Sequence, residues 1–346
     1  MKIGKHQIGV GAPVYIIAEL SANHQQRYEN ALAIVQAAAR AGADAVKLQT
    51  YTADTLTLDS DKESFRIGKG TIWEGRTLHD LYSEAFTPWE WQPDLKAAAE
   101  ELGMDCFSSP FDQSAVDFLE TINVPAYKIA SFELVDLPLI ESVARTGKPL
   151  IMSTGMATRD EIAEAVEAAR AGGAQEIALL KCTSAYPARF DEMNLRTIPD
   201  LGATFGVPVG LSDHTLGSVV PVAAVALGAC IIEKHLTLSR AAGGPDAAFS
   251  LEPEEFAQMV ADVRAAESAL GQASYEVGEN EHASRVFRRS LFAVRDIRQG
   301  ESLTEENVRS IRPANGLPPK HFPALIGRTA ARAIEKGTPL DWSLLE

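Results

Sequence analysis

The sequence predicts an α/β fold, a (β/α)8 TIM barrel followed by a small separate C-terminal domain. Three observations lead there. One unit recurs along the chain: a helix of small residues, a Gly, a β-forming run and a polar ending. The length of 346 residues suits a barrel of about 250 residues plus an appendage. The last sixty or so residues abandon the recurring unit for a shorter repeat of their own.

Taken in order, the opening strand is VYIIAELS. The unit then appears as ARAGADAVKLQT, AEELGMDCFSSP, LETINVPAYKIAS, ARTGKPLIMSTG, ARAGGAQEIALLKCTSAYP, ATFGVPVGLSDHT and AVALGACIIEKHLTL, for eight strands in all. Asn123 takes the Gly position in the third of these. Gly and Asn are the residues that tolerate the left-handed conformation ending a helix. Between the strands, ENALAIVQAAARA and RDEIAEAVEAARAG carry apolar residues at helical spacing. Strict strand–helix alternation predicts a parallel sheet. An open doubly wound sheet is the alternative, but the GxGxxG turn of a dinucleotide site is missing. The insertion from Tyr51 to about Ala85 is too long for a plain connection and is expected on the catalytic face as a lid or recognition loop. In the C-terminal segment, Ala293, Arg295, Ile297, Gly300, Leu303 and Val308 recur at one offset as Ala330, Arg332, Ile334, Gly337, Leu340 and Leu345. The expected division is a barrel at 1–270, a linker at 271–289 and a pseudo-symmetric module at 290–346.

Composition narrows the function. A net charge of −15 repels phosphate backbones, so no nucleic-acid partner is expected, and any anionic substrate needs a local cluster of cations. Cys106, Cys182 and Cys230 lie in apolar runs without CxxC spacing, which reads as reduced core thiols and a cytoplasmic protein. MKIGKHQIGV lacks the apolar run of a signal peptide. The longest apolar stretch, VVPVAAVALGACII, is too short to span a bilayer, so no membrane partner is expected.

Every predicted strand ends in polar residues: Glu19; Lys47 with Gln49; Ser108 with Ser109; Lys128 with Ser131; Ser153 with Thr154; Thr183, Ser184 and Tyr186; Ser212, Asp213 and His214; Glu233, Lys234 and His235. In a barrel these ends form the catalytic mouth. His214 and His235, on the seventh and eighth strands, point to a divalent ion, and imidazole with carboxylate or water suits Mn, Fe, Co or Zn. Glu233 shares the parity of His235 and either orients a ligand or pairs with an interior Lys; Lys234, of opposite parity, is expected to face away. Lys47, Lys128 and the MSTGM run ahead of a helix near Arg159 suggest a phosphate cradle. A strand-end Lys would equally serve a Schiff-base aldolase. A non-catalytic sugar-binding barrel is the third reading, but binding alone does not call for paired histidines beside paired lysines.

AELSANH, KLQTYT, FSSPFD, YKIASFE, MSTGM, GLSDHT, EKH and GPD, in this order and spacing, resemble the sialic acid synthase family, a barrel followed by an antifreeze-like (SAF) domain. The likeness covers essentially the whole chain. AELSANH, KLQ and the loop GTIWEGRTLHDLYSEAFTPWEWQ are similar to the pseudaminic branch of that family. The resemblance implies a transferase that condenses phosphoenolpyruvate with an amino sugar, for this branch 2,4-diacetamido-2,4,6-trideoxy-L-altrose, into a nine-carbon 2-keto acid. N-acetylneuraminate or legionaminate synthesis is the alternative within the family. It implies His214 and His235 as ligands of a divalent metal, Mn2+ foremost, with Co2+ or Mg2+ as alternatives. It implies Glu19, Asp246 and Arg312 as catalytic, and Lys47, Ser109, Lys128, Ser131, Ser153, Ser184 and Ser212 as binding phosphoenolpyruvate. Asn23, Gln49, Tyr186 and Arg312 would hold the sugar. Arg312 would come from the partner chain of a domain-swapped homodimer. Two positions depart from the pattern: Ser184 stands where the sialic branch has Asn, and Ala314 where Gly is expected after Arg-Pro.

Overall fold

The computed structural model describes residues 1–346, which form two compact units, Met1–Gly271 and Gln272–Glu346. The first is a closed barrel of eight parallel strands. They are β1 (Tyr15–Glu19), β2 (Ala45–Thr50), β3 (Asp105–Pro110), β4 (Tyr127–Ile129), β5 (Leu150–Ser153), β6 (Ile177–Cys182), β7 (Val209–Asp213) and β8 (Ile231–His235). The predicted strands appear in the predicted order, and β8 pairs back onto β1 to close the ring. Longer helices follow the strands: α1 (Tyr28–Ala41), α2 (Gln92–Glu101), α3 (Gln113–Thr121), α4 (Leu137–Ala144), α5 (Arg159–Ala171), α6 (Thr197–Phe205), α7 (Val219–Ala226) and α8 (Pro253–Leu270).

The left-handed helix endings fall where the repeat placed them. Gly42 has φ 85° after α1, and Asn123 has φ 51° after α3. Each reverses the chain into the next strand. The strands are almost wholly buried, as expected of a parallel sheet covered by helices, and Ile16, Ile17, Val46, Ile151, Leu179, Leu211, Ile231 and Ile232 belong to one continuous core. An N-terminal hairpin, Lys2–Ile3 paired with His6–Gln7, packs at the opposite end from the predicted mouth. There Lys5 Nζ donates to Gly103 O at 2.8 Å and His6 Nδ1 lies 2.8 Å from Asp105 Oδ2.

The second unit carries one antiparallel pair, β9 (Ser290–Ala293) and β10 (Val308–Ile311), around a core of its own. Its repeat is a true pseudo-two-fold. Ile297 N–H donates to Ile334 O, and Ile334 N–H donates to Ile297 O, both at 2.8 Å. Gly300 N–H to Ala330 O and Gly337 N–H to Ala293 O form a second matched pair, again at 2.8 Å. No helix of the protein is long and apolar enough to cross a membrane.

Candidate active site

The C-terminal ends of the strands bring four charged side chains together inside the barrel. Lys47 Nζ lies 2.6 Å from Glu19 Oε2 and 3.6 Å from Glu233 Oε1; Lys128 Nζ lies 4.0 Å from Glu233 Oε2. The Glu19–Lys47 contact misses hydrogen-bonding angles and is Coulombic, while Glu19 Oε1 accepts from Gln49 Nε2 at 3.1 Å. All four charges are at most 4% exposed, so each depends on the others for its solvation. Burial pushes the Glu19 carboxyl up to about 7, against the pull of Lys47. Glu233 also suffers burial, but Lys128 and Lys47 outweigh it and hold its carboxyl below the usual range. Two carboxylates a few ångströms apart thus have different proton affinities, which is the condition for giving them different roles. The geometry settles Glu233 as an interior ion pair, with Ser212 Oγ also donating to it at 3.2 Å.

Hydroxyls line the same space. Lys128 donates to Ser153 Oγ at 2.6 Å, and Lys47 to Ser109 Oγ at 3.3 Å. Gly155 N–H donates to Ser131 Oγ at 3.1 Å, and a Cβ on Gly155 would collide with Ser184 Oγ and Ser131 Oγ. Backbone and hydroxyls therefore meet closely only because residue 155 has no side chain. The expected contribution of the α5 N-terminus is corrected. Thr158 and Glu161 satisfy it in a capping box, and Asp160 and Glu161 make its first turn acidic. What meets at the mouth ahead of α5 is the Gly155 amide with the Ser131 and Ser184 hydroxyls. Ser108 and Asp213 are corrected too. Alternation along the strands turns them outward, Ser108 onto Thr50 Oγ1 at 2.6 Å and Asp213 onto Lys234 at 2.5 Å.

His214 and His235 face each other across β7 and β8 with ring centroids 5.2 Å apart. His214 Nδ1 lies 3.0 Å from Thr183 O and 4.0 Å from Cys182 Sγ; donation from Nδ1 to the carbonyl leaves Nε2 as a lone-pair donor. Burial, then the positive neighbours, hold His235 well below its usual pKa, so it is neutral. Its Nδ1 is buried without a partner. An orphaned buried imidazole nitrogen beside a second imidazole fits a bound cation. No third His, Cys, Asp or Glu completes a set, so such an ion would keep open positions, as catalytic sites do and structural sites do not.

Around the pair stands an aromatic wall. Tyr186 packs 4.6 Å from His214 and 5.0 Å from Phe249, and Phe249 packs 4.9 Å from His235. The long insertion reaches this wall: Trp73 lies 5.4 Å from Tyr186, and its indole N–H donates to Pro245 O at 2.9 Å. The next residue, Asp246, is half-buried, bonded to the Ser21 hydroxyl, and its carboxyl is raised by desolvation to about 6. Asn23 is placed differently. Its amide nitrogen donates to Leu236 O and Ser250 Oγ, bracing the loop after β8, and its Oδ1 is left without a partner. Arg312 lies in the second unit, exposed at the end of β10.

Sequence reasoning missed Glu133, Trp73 and Phe249. Glu133 Oε2 is buried without a partner, and burial raises its carboxyl to about 7. It lies five residues beyond Lys128, in the turn after β4, where strand parity no longer predicts direction. Trp73 belongs to the predicted lid, but no local pattern marks it as the residue that reaches Pro245.

The NeuB family pattern matches residues 34–275, and the SAF domain pattern matches 288–346. The pseudaminic acid synthase of Campylobacter jejuni is 48% identical over 330 residues, covering 95% of this chain and 96% of that protein. The N,N'-diacetyllegionaminic acid synthase of Legionella pneumophila is 35% identical and covers 98% of this chain and 96% of that protein. The crystal structure of the N-acetylneuraminic acid synthetase of Leptospira borgpetersenii, in complex with citrate, superposes with a TM-score of 0.73 at 32% identity, covering 82% of this chain and 94% of that one. The chain belongs to the NeuB family.

Proposed function

We propose that the protein is a pseudaminic acid synthase, joining phosphoenolpyruvate to 2,4-diacetamido-2,4,6-trideoxy-L-altrose with release of phosphate. One observation carries the reading. Two buried lysines and two adjacent imidazoles share one barrel mouth, in a chain 48% identical to a protein of that name. The 35% identity to a legionaminic acid synthase makes that branch the weaker reading.

Lys47 and Lys128, with Ser109, Ser131, Ser153, Ser184 and Ser212, hold the phosphate and carboxylate of phosphoenolpyruvate. They create the local positive field that an anion needs on a protein of charge −15. Gln49, Tyr186 and Asn23 position the sugar, and Asp246 stands near its reacting end. His214 and His235 would hold a divalent ion, Mn2+ foremost, which would supply Lewis-acid polarisation of the sugar aldehyde. C3 of phosphoenolpyruvate attacks that carbon, and positive charge develops at C2. The Glu19 carboxylate stabilises this charge. Water adds at C2 and phosphate departs with the bridging oxygen, leaving the 2-keto acid. Fixing both reactants in one closed barrel supplies much of the acceleration.

The proposal extends to a homodimer in which Arg312 of each chain serves the other's barrel. Phe132, Val135, Met156, Phe190 and Leu216 support it, because these exposed apolar side chains all lie in the connections that follow the strands at the barrel mouth. Mixing inactive Glu19→Gln and Arg312→Ala chains then restores up to about a quarter of wild-type activity through heterodimers. No recovery rules the exchange out. The decisive assay is phosphate release with phosphoenolpyruvate, Mn2+ and three sugars side by side: the altro and manno diacetamido sugars and N-acetylmannosamine. A preference for either of the last two overturns the branch. Retention of labelled bridging oxygen in the keto acid overturns C–O cleavage. Borohydride trapping on Lys47 or Lys128 revives the aldolase.

A further inference from the structure

The Asp213–Lys234 pair lies on the far side of the barrel wall from the site, and nothing in the proposed reaction uses it. It is nevertheless a densely hydrogen-bonded cluster. Lys234 Nζ lies 2.5 Å from Asp213 Oδ2, 2.5 Å from Thr215 O and 3.3 Å from Gly217 O. Those three acceptors account for the three donors of the ammonium. Asp213 in turn accepts the Thr215 N–H at 2.9 Å and the Thr215 hydroxyl at 3.0 Å. Both charged side chains are fully shielded from solvent.

Its place in the register explains its use. Lys234 and Asp213 form the last paired rung between β8 and β7. One residue further along each strand come His235 and His214. Successive side chains on a strand point to opposite faces, so the ion pair closes the rung on the outside while the imidazoles emerge on the inside. Lys234 also reaches around His214. It binds Asp213, the residue before it, and Thr215, the residue after it, so the backbone of His214 is held on both sides by one ammonium. Beyond Asp213 the β7–β8 pairing stops. Past that point His214 is otherwise anchored only from the β6 side, by its carbonyl, which accepts the Ala188 N–H at 3.1 Å, and by Nδ1, 3.0 Å from Thr183 O.

We propose that Lys234, acting with Asp213, is the positioning residue that fixes the spacing and aim of the His214–His235 pair. This inference rests on the reading of the two histidines as ion ligands. Stability alone does not account for the pair, because two packed apolar residues serve as well as or better than a buried ion pair. Geometry does account for it, since groups behind metal ligands commonly govern affinity about 10–100-fold.

The test uses the full-length protein stripped of metal, with Mn2+ binding followed by the EPR signal of free Mn2+ and by calorimetry. The double variant Lys234→Met with Asp213→Leu removes both charges together and avoids an unpaired one. It is expected to unfold within a few degrees of wild type yet bind Mn2+ at least ~10-fold more weakly. Its affinity for phosphoenolpyruvate, measured without metal, should stay unchanged. A folded double variant with wild-type Mn2+ affinity overturns the proposal. Asp213→Glu keeps both charges and shifts the clamp by one methylene, so it guards against misfolding of the double variant. Weaker Mn2+ binding with retained melting temperature is expected, and unchanged binding again overturns the proposal. His214→Ala separates the two layers of the argument. If it binds Mn2+ as tightly as wild type, or if the wild type binds neither Mn2+ nor Co2+, the ion-ligand reading itself has failed.

Discussion

In the barrel mouth, Glu19, Lys47, Lys128 and Glu233 lie within one connected cluster, each at most 4% exposed. In the C-terminal module the core is Leu291, Ala293, Ile297, Leu303, Val308, Leu325, Ala330, Ile334, Leu340 and Leu344, with no charge among them. The module encloses only the uncharged Ser290 and Asn307 among its polar side chains and keeps its charges at the surface, as the ordinary rule for interiors has it. The barrel breaks that rule at one end only. A surrounding core large enough to absorb the cost permits the exception, and the chemistry of two anionic groups on one substrate requires it. The comparison teaches where to look for function: in the region that buries what it could have left wet.

The largest effect should come from breaking the charge balance. Lys47→Met leaves Glu19 and Glu233 buried without their shared cation and should cost about 3–5 kcal/mol in chemical denaturation of the barrel, with phosphoenolpyruvate binding lost. A barrel as stable as wild type would mean that the cluster is solvated in some other way. Glu19→Gln keeps the shape and removes the charge. A fall in kcat of about 10²–10³ with phosphoenolpyruvate affinity little changed is the expected result. Equal activity would remove Glu19 from the mechanism.

A third test uses pH. His24 accepts the Gln26 N–H on Nδ1 at 3.0 Å, is enclosed beside Trp91, and burial lowers it to about 4. The folded barrel therefore holds His24 neutral, while the unfolded chain takes up a proton near pH 6.5. The stability this contributes is complete above pH 6.5 and is lost as pH falls toward 4, a loss of roughly 3 kcal/mol. The difference in unfolding free energy between wild type and His24→Gln should shrink by that amount between pH 7.5 and 4; a constant difference would refute the assignment. The smallest effects belong to the module. Ile297→Val and Ile334→Val, related by the pseudo-two-fold, should each cost about 1 kcal/mol and match one another, as read by thermal unfolding. Unequal costs would show that the backbone symmetry does not extend to side-chain packing.

Much of this was legible in the residues themselves. The recurring Gly or Asn announced seven of the eight strand entries, because a left-handed helix end is a local requirement met by few residue types. The half-repeat at 293–308 and 330–345 announced the symmetric module for the same kind of reason. Lys47, Lys128, His214 and His235 were visible as polar interruptions of apolar runs. Residues whose direction depends on more than one strand were not legible. Parity placed Glu233 inward but could not choose its partner, since Lys47 and Lys128 lie on strands far away in sequence. Ser108 and Asp213 looked like members of the mouth and face outward. Glu133 and Trp73 sit where the chain has left its strand and period 2 no longer applies.

The sequence by itself determined the order of elements, the positions of the turns and the inventory of reactive side chains, because these follow from local conformational preference and hydrophobic period. Tertiary structure alone decided which charges share one enclosed space and hence that burial raises the Glu19 carboxyl while Lys128 and Lys47 hold that of Glu233 down. It alone brought Trp73 to Pro245 and wrapped Lys234 onto Thr215 behind His214. Ring closure explains the difference. Joining β8 to β1 puts residues more than two hundred positions apart side by side, and no local rule registers that distance.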